Sequence, residues 1–88
     1  MSAVTIARAW RAEQVDHRAE NGVVLIFGGQ VYGWKNELRD AGHERPGAIA
    51  VDTSGNVFKA EGGTDYDGAK FWVAIQQSLP REEQGLEP

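Results

Sequence analysis

The clearest hydrophobic pattern in the chain is the run of five large apolar residues Val23–Phe27. The run is rich in β-branched residues and lies between Asn21-Gly22 and Gly28-Gly29, which is typical of a buried strand. Because glycines readily adopt the positive φ angles of a tight turn, Gly28-Gly29 predicts a hairpin whose second strand covers residues 31–34. The rest of the fold is expected to form around this hairpin.

A second hairpin is predicted further along the chain. Residues 48–52 are mostly apolar, Thr53-Ser54-Gly55-Asn56 is a strong turn signal, and residues 57–61 alternate between apolar and polar. Successive side chains of a strand point to opposite faces, so Val57 and Phe58 are expected on different faces of the sheet. The strand over 57–61 is also a candidate edge of the sheet, through which two copies of so small a domain could pair.

Two segments fit both a helical and a strand pattern. Apolar residues recur at helical spacing over residues 3–14, which predicts a short N-terminal helix, although alternation also fits part of this segment. Further on, Thr64-x-x-Asp67 resembles a capping box and precedes an apolar stripe of Trp72, Ile75 and Leu79, so a helix is predicted over 67–78. The alternative there is a strand over 70–75, because Phe-Trp-Val-Ala-Ile has high β propensity.

These elements predict an α+β fold. We expect a four-stranded antiparallel sheet of two hairpins, with a C-terminal helix and a short N-terminal helix. The 88 residues are enough for one domain over residues 1–80, followed by an acidic, frayed tail over residues 81–88. Three tryptophans, Trp10, Trp34 and Trp72, are expected to supply much of the core.

Composition and charge reduce the number of functional classes to which this protein could belong. The absence of cysteine excludes disulfides and thiolate metal sites, and the lack of a long apolar run argues against a membrane span. A net charge of −4 does not favour direct nucleic-acid binding, which needs a basic face. We therefore expect a cytoplasmic protein, monomeric or homodimeric, with a protein partner.

The sequence contains no recognisable catalytic pattern. Its two histidines have no metal-ligand spacing, its serines lie outside any Gly-x-Ser-x-Gly elbow, and its glycine pairs lack the pattern of a phosphate-binding loop. The prediction is a protein that is not an enzyme and that has no metal and no cofactor.

Two polar segments are candidates for partner binding. The first is the long charged connection between the two hairpins, and the second is the acidic stretch after the second hairpin, to which Asp52 would be close if that hairpin folds as predicted. The alternative for the first is a merely solvated connection, and for the second helix capping. The candidate residues are Lys35, Asn36, Glu37, Arg39, Glu61, Asp65, Tyr66 and Asp67.

Four blocks of the sequence together resemble a known family. The most distinctive is Tyr-Gly-Trp-x-Asn-Glu-Leu-Arg-Asp at residues 32–40, and the others cover residues 22–27, 45–52 and 62–69. They resemble the small ArdR-type antirestriction proteins of plasmids and integrative elements, over nearly the whole chain. The resemblance implies a protein encoded on a mobile element that acts inside a bacterium against host defence, a role shared with anti-CRISPR proteins.

The leading hypothesis is a stoichiometric inhibitor that binds a protein component of a host nuclease or CRISPR complex. The alternative is a nucleic-acid-associated accessory or regulatory protein of the mobile element, for which several arginines would have to gather on one face. An unrecognised hydrolase is a third and weaker hypothesis.

Overall fold

The computed structural model describes residues 2–15 and 17–75, which form an α+β fold with one antiparallel sheet and one N-terminal α-helix. Its strands lie in the order β2-β1-β3-β4-β5. Two 3₁₀ turns, His17–Glu20 and Ala41–His43, lie in the connections. The elements are α1 Ala3–Glu13, β1 Val23–Phe27, β2 Gln30–Lys35, β3 Ile49–Val51, β4 Val57–Glu61 and β5 Phe71–Ile75.

The hairpin of β1 and β2 is present as predicted. Gly28 and Gly29 form its turn with φ angles of 61° and 80°. The pairing then shifts by one residue, because Ile26 lies opposite Val31 while Leu25 lies opposite Gly33. Tyr32 is the extra residue of this β-bulge, which alters the direction of its side chain.

Helix α1 covers one face of the sheet. Ser2 caps its N-terminus by accepting a hydrogen bond from the Thr5 backbone nitrogen at 3.1 Å. The small side chain of Ala7 is buried against Val24 and Val51 and lets the helix approach the sheet closely. The predicted N-terminal helix is therefore confirmed, and it ends one residue earlier than expected.

The connection between β2 and β3, residues 36–48, covers the opposite face. Its Leu38 packs against the layer that contains Leu25 and Phe58. Alanines form a second, thinner layer beside it (Ala41, Ala48, Ala60 and Ala69). Small side chains allow this connection to lie close to the strands, and Trp72 fixes it by donating its indole hydrogen to the Arg39 carbonyl at 2.6 Å.

Two parts of the predicted fold are wrong. The sheet has five strands and not four, and no helix begins at residue 67, because Phe71–Ile75 forms strand β5. Thr64 and Asp67 close a tight turn instead of capping a helix, and this turn directs the chain back along β4. The segment therefore forms a strand, which was the alternative that the sequence allowed for residues 70–75. Residues 76–78 of the predicted helix, the domain boundary at residue 80 and the tail over 81–88 lie outside the described residues.

The prediction that β4 is an edge strand is also wrong. β4 lies between β3 and β5, and the two edges of the sheet are β2 and β5. Val57 and Phe58 do lie on opposite faces, since Val57 packs beneath α1 and Phe58 packs beneath the 36–48 connection.

Arg11 links the helix to the sheet. Its guanidinium donates to the carbonyls of Ala19 and Asn21 at 2.7 Å each, of Gly22 at 2.9 Å and of Val51 at 3.1 Å. Burial lowers the pKa of Arg11, and the charge of Asp52 opposes that shift. One side chain therefore holds α1, the segment before β1 and the end of β3 together.

Candidate partner-binding surface

The two polar segments singled out in the sequence meet on the face opposite α1. The Ala69 backbone nitrogen donates to the Glu44 carbonyl at 2.8 Å, and the Arg45 guanidinium lies 3.0 Å from the Asp65 carboxylate. A Cβ atom on Gly68 would lie only 2.1 Å from the Gly42 carbonyl oxygen, so the two backbones are in close contact there. The 36–48 connection and the turn over residues 64–68 thus form one surface.

The turn over 64–68, which we call the acidic turn, is held in one conformation. Thr64 and Gly68 exchange both backbone hydrogen bonds, at 2.8 and 3.3 Å, and the Asp67 nitrogen donates to the Thr64 hydroxyl at 2.9 Å. Tyr66 at its tip is 96% exposed. The acidic turn therefore presents an aromatic side chain between two exposed carboxylates, Asp65 and Asp67, on a backbone that is already ordered.

Glu44 supports this surface from beneath. It is 7% exposed and is the one buried charged residue among those described. Tyr32 donates its hydroxyl hydrogen to one carboxylate oxygen at 2.5 Å, and the Lys35 ammonium donates to the other at 2.6 Å. A buried carboxylate is tolerated when it is paired and hydrogen-bonded in this way. The network fastens the 36–48 connection to strand β2.

The environment of Tyr32 disfavours its ionised form. Burial raises the pKa of its hydroxyl most, and the hydrogen bond to Glu44 and the charge of that carboxylate raise it further, while Arg45 lowers it. The hydroxyl therefore remains a hydrogen-bond donor to Glu44 well beyond the pH at which an ordinary tyrosine ionises.

This network predicts a pH-dependent effect of Tyr32→Phe. Because the folded-state pKa of Tyr32 lies above its unfolded value of about 10, its contribution to stability is present below that pH and is lost as the pH rises toward the folded pKa. At about pH 8 we expect Tyr32→Phe to lower the free energy of unfolding by about 1 kcal/mol. Urea unfolding of both proteins at about pH 8 and about pH 11 should show a smaller difference at the higher pH. A difference that grows with pH contradicts the assigned network.

A depression of about 460 Å³ lies beside Glu44. The Arg45 guanidinium stacks 4.2 Å from the centre of the Phe27 ring on one side of it, and the half-exposed Tyr32 ring lies on another. Its lining residues are Phe27, Gln30, Val31, Tyr32, His43, Glu44 and Arg45. Aromatic, apolar and charged groups in one shallow depression are typical of a place where a protein partner inserts a side chain.

The predicted binding residues at the end of β2 and in the 36–48 connection already have contacts within the chain, so their side chains are only partly free to bind a partner. Lys35 is held by Glu44, so its ammonium already has a partner. Asn36 accepts a hydrogen bond from Arg39 at 2.6 Å, and Glu37 lies 3.9 Å from the same guanidinium. Both members of the Glu37–Arg39 pair are exposed, and such pairs change partners easily. A second depression of about 440 Å³ lies here, lined by Trp34, Lys35, Asn36 and Arg39.

The predicted acidic cluster is divided by the fold. Asp65, Tyr66 and Asp67 lie together on the acidic turn, but Glu61 is opposite Phe71 on the other face of the sheet, where alternation from Val57 places it. Asp52 lies in the turn at the far end of β4, where its carboxylate accepts from two backbone nitrogens and the Asn56 amide. Asp52 therefore has a structural role in its own turn.

Several residues of this surface were not predicted from the sequence. Glu44 carried no signal, because nothing local distinguishes a buried glutamate from a solvated one. Tyr32 lies in the second strand of the predicted hairpin, and the glycine after it is the local feature that fits the bulge observed there. Phe27, His43 and Arg45 were each assigned to ordinary strand or loop positions, and the fold alone brings them together.

The described residues offer two further observations. Histidines and carboxylates do not come together in groups of three or more that could hold a metal ion within residues 2–15 and 17–75. No helix in this part of the chain has the length and apolar character needed to cross a membrane.

Comparison with known proteins gives no match for this chain among family models, curated proteins or solved structures. The similarity to ArdR-type proteins therefore stays a prediction from the sequence blocks.

Proposed function

We propose that this protein inhibits a bacterial host-defence complex by stoichiometric binding to one of its protein components, in the cytoplasm of the host and without catalytic turnover. The sequence blocks that resemble ArdR-type antirestriction proteins support this function. The structural observation that carries the proposal is Tyr66, a fully solvated tyrosine on an ordered turn between two exposed carboxylates.

An exposed tyrosine on a rigid turn suits a binding role. Tyrosine is among the residues that contribute most to protein interfaces, because its ring buries a large area with few rotatable bonds. The hydrogen bonds between Thr64 and Gly68 and the contact with Gly42 order the acidic turn before any partner arrives. Little conformational entropy is then lost from the turn on association, which strengthens binding.

The charges of the surface favour a basic partner. Asp65 is paired with Arg45, whereas the one contact of the Asp67 carboxylate among the described residues is with the Thr64 hydroxyl, at 3.4 Å. The chain as a whole carries a net charge of −4. The nucleic-acid-binding face of a nuclease is rich in arginine and lysine, so such carboxylates would accelerate association with it. Occupying that face would exclude DNA or RNA from the defence complex.

The nucleic-acid-associated alternative receives less support. It needs arginines that are free to contact phosphates, but Arg11 is committed to four backbone carbonyls and Arg45 to Asp65 and Phe27. Gel-shift titration at low salt separates the two functions. Tight binding of duplex DNA by the purified chain would favour the accessory protein over the inhibitor.

The proposal predicts a selective loss of binding in Tyr66→Ala. We expect affinity for the defence component to fall at least tenfold, the equivalent of about 1.4 kcal/mol, while the melting temperature changes little because the side chain has few contacts to lose. The partner is first recovered with a tagged chain from a bacterium whose defence is active, and affinity is then measured by calorimetry with purified proteins.

Val15→Ala provides the matched control. Val15 is 97% exposed and follows the end of α1, outside the proposed surface, so its truncation should leave affinity unchanged. Recovery of no nuclease or CRISPR component, or equal affinity of Tyr66→Ala and the native chain, would refute the proposed function at this surface.

A further inference from the structure

Among the residues that the structure describes, strand β5 is an open edge of the sheet. It pairs with β4 through a regular antiparallel register from Phe71 to Ile75, and no described residue pairs with its other side. Its sequence, Phe-Trp-Val-Ala-Ile, has no charged residue, no proline and no bulge. Charged residues, prolines and bulges are the features with which proteins usually prevent strand edges from pairing with another chain, and β5 lacks all three.

The other edge, β2, is protected. It contains the bulge at Tyr32 and ends at Lys35, whose ammonium is held by Glu44. Trp34 also donates its indole hydrogen to the Asn21 carbonyl at 2.8 Å, which fixes the end of this strand. Among the described residues, β2 therefore carries features that disfavour pairing with another chain, and β5 does not.

The face of β5 on the α1 side is partly uncovered as well. α1 packs over β1, β2 and β3. Phe71 remains 53% exposed and Val73 36% exposed. Ile75, further along the same face, packs against the core beneath α1. An apolar strip therefore continues from the core to the open edge of the sheet.

We propose that β5 pairs antiparallel with β5 of a second copy of this chain, about a twofold axis at Val73. In this register Phe71 of one copy lies opposite Ile75 of the other, Trp72 lies opposite Ala74, and the two Val73 residues face each other. Every pair is apolar, and no like charges meet, so the strand is complementary to itself. The two sheets then form one continuous sheet of ten strands.

The size of this contact makes the dimer reversible. A five-residue strand pair with two partly exposed apolar side chains on each copy is smaller than the interfaces of about 1,200 Å² or more that hold stable complexes. We therefore expect monomers and dimers to exchange, with the dimer increasing as protein concentration rises.

A cysteine introduced at the axis tests the geometry. The native chain has no cysteine, so Val73→Cys carries a single thiol. Directly opposed residues of an antiparallel pair have Cα atoms about 4.5–5.5 Å apart, a separation that a disulfide spans without strain. Under mild oxidation we expect Val73→Cys to give a covalent dimer on a non-reducing gel. The Val15→Cys control, whose position is more exposed (97% against 36%), should stay monomeric at the same concentration.

Sedimentation equilibrium tests the same interface without a cross-link. The native chain should shift from 9.6 kDa toward twice that mass as its concentration rises. Val73→Lys places two ammonium groups opposite each other and should remain monomeric, while Val15→Lys should behave as the native chain does. The proposal is overturned by a native chain that stays monomeric at millimolar concentration. It is overturned equally by a dimer that Val73→Lys leaves intact, or by equal cross-linking of Val73→Cys and Val15→Cys. If Val73→Lys fails to fold, the Val73→Cys comparison decides.

Discussion

Replacing Arg11 by alanine is expected to lower the free energy of unfolding by about 3 kcal/mol. The guanidinium donates to four backbone carbonyls, three in the segment before β1 and one at the end of β3, and alanine would leave its partly buried acceptors without a donor. A domain of this size has a total stability of about 5–10 kcal/mol, so this one change removes a large share of it. Urea unfolding followed by tryptophan fluorescence measures the loss.

Two further substitutions separate geometry from charge at this position. Arg8→Ala removes an exposed arginine from the same helix and should change stability by no more than about 0.5 kcal/mol. Arg11→Lys keeps the charge but not the planar fork of donors, so it should recover only part of the loss. Equal unfolding midpoints for Arg11→Ala and Arg8→Ala would show that Arg11 does not link α1 to the sheet.

Gly68→Ala is expected to destabilise the fold by about 3 kcal/mol and to displace the acidic turn. Its φ angle of 90° is unfavourable for alanine by about 1–2 kcal/mol, and the new Cβ would lie 2.1 Å from the Gly42 carbonyl oxygen. Relieving that overlap requires backbone movement, which adds about 1–3 kcal/mol. Thermal unfolding and partner affinity should both be impaired, since the displaced turn carries Tyr66.

Gly55→Ala is the matched control for this prediction. Gly55 has nearly the same φ angle, 87°, but a Cβ atom there meets nothing within 4 Å. Its replacement should therefore show the conformational penalty alone and leave partner affinity intact. If Gly68→Ala is no more harmful than Gly55→Ala, the acidic turn does not pack against the 36–48 connection.

The sequence predicted the elements whose signal is local. Gly28-Gly29 required a tight turn, the five apolar residues before it required burial, and residues 53–56 required a second turn, so both hairpins were predicted correctly. Helix α1 was also correct, because Ser2 caps it and its apolar residues face one side.

The error at residues 67–78 has a physical explanation. The i, i+3 spacing of Trp72 and Ile75 fits a helix, and the strand propensity of the same segment fits β5, so the pattern alone could not decide. Tertiary structure determines that this segment is a strand and not a helix. The side of β4 away from β3 offers five residues for pairing, and the acidic turn reverses the chain so that Phe71–Ile75 meets them in register. Propensity is overridden by this kind of pairing.

Only part of the candidate surface was predicted, because sequence patterns report which residues are neighbours along the chain and not which residues the fold brings together. Asp65, Tyr66 and Asp67 are adjacent in sequence, so they remained together on one turn. Glu61 was grouped with them because it is near them in sequence, and Asp52 because the predicted second hairpin would bring it close. The two-residue period of a strand places Glu61 on the other face, and Asp52 lies in the turn at the far end of β4. The buried Glu44 and its donors Tyr32 and Lys35 depend on a long-range contact that no local pattern contains.

Titration of the defence nuclease with the purified chain tests inhibition by stoichiometric binding most directly. The purified chain is added in increasing amounts to a fixed concentration of the defence nuclease with which it co-purifies, and the initial rate of DNA cleavage is measured. We expect the rate to fall in proportion to the added chain and to reach its minimum at a fixed whole-number ratio of chain to nuclease. The result should not depend on preincubation time, and Tyr66→Ala should leave most of the activity at that same ratio. Complete, time-dependent loss of nuclease activity at amounts far below one chain per nuclease would contradict the account.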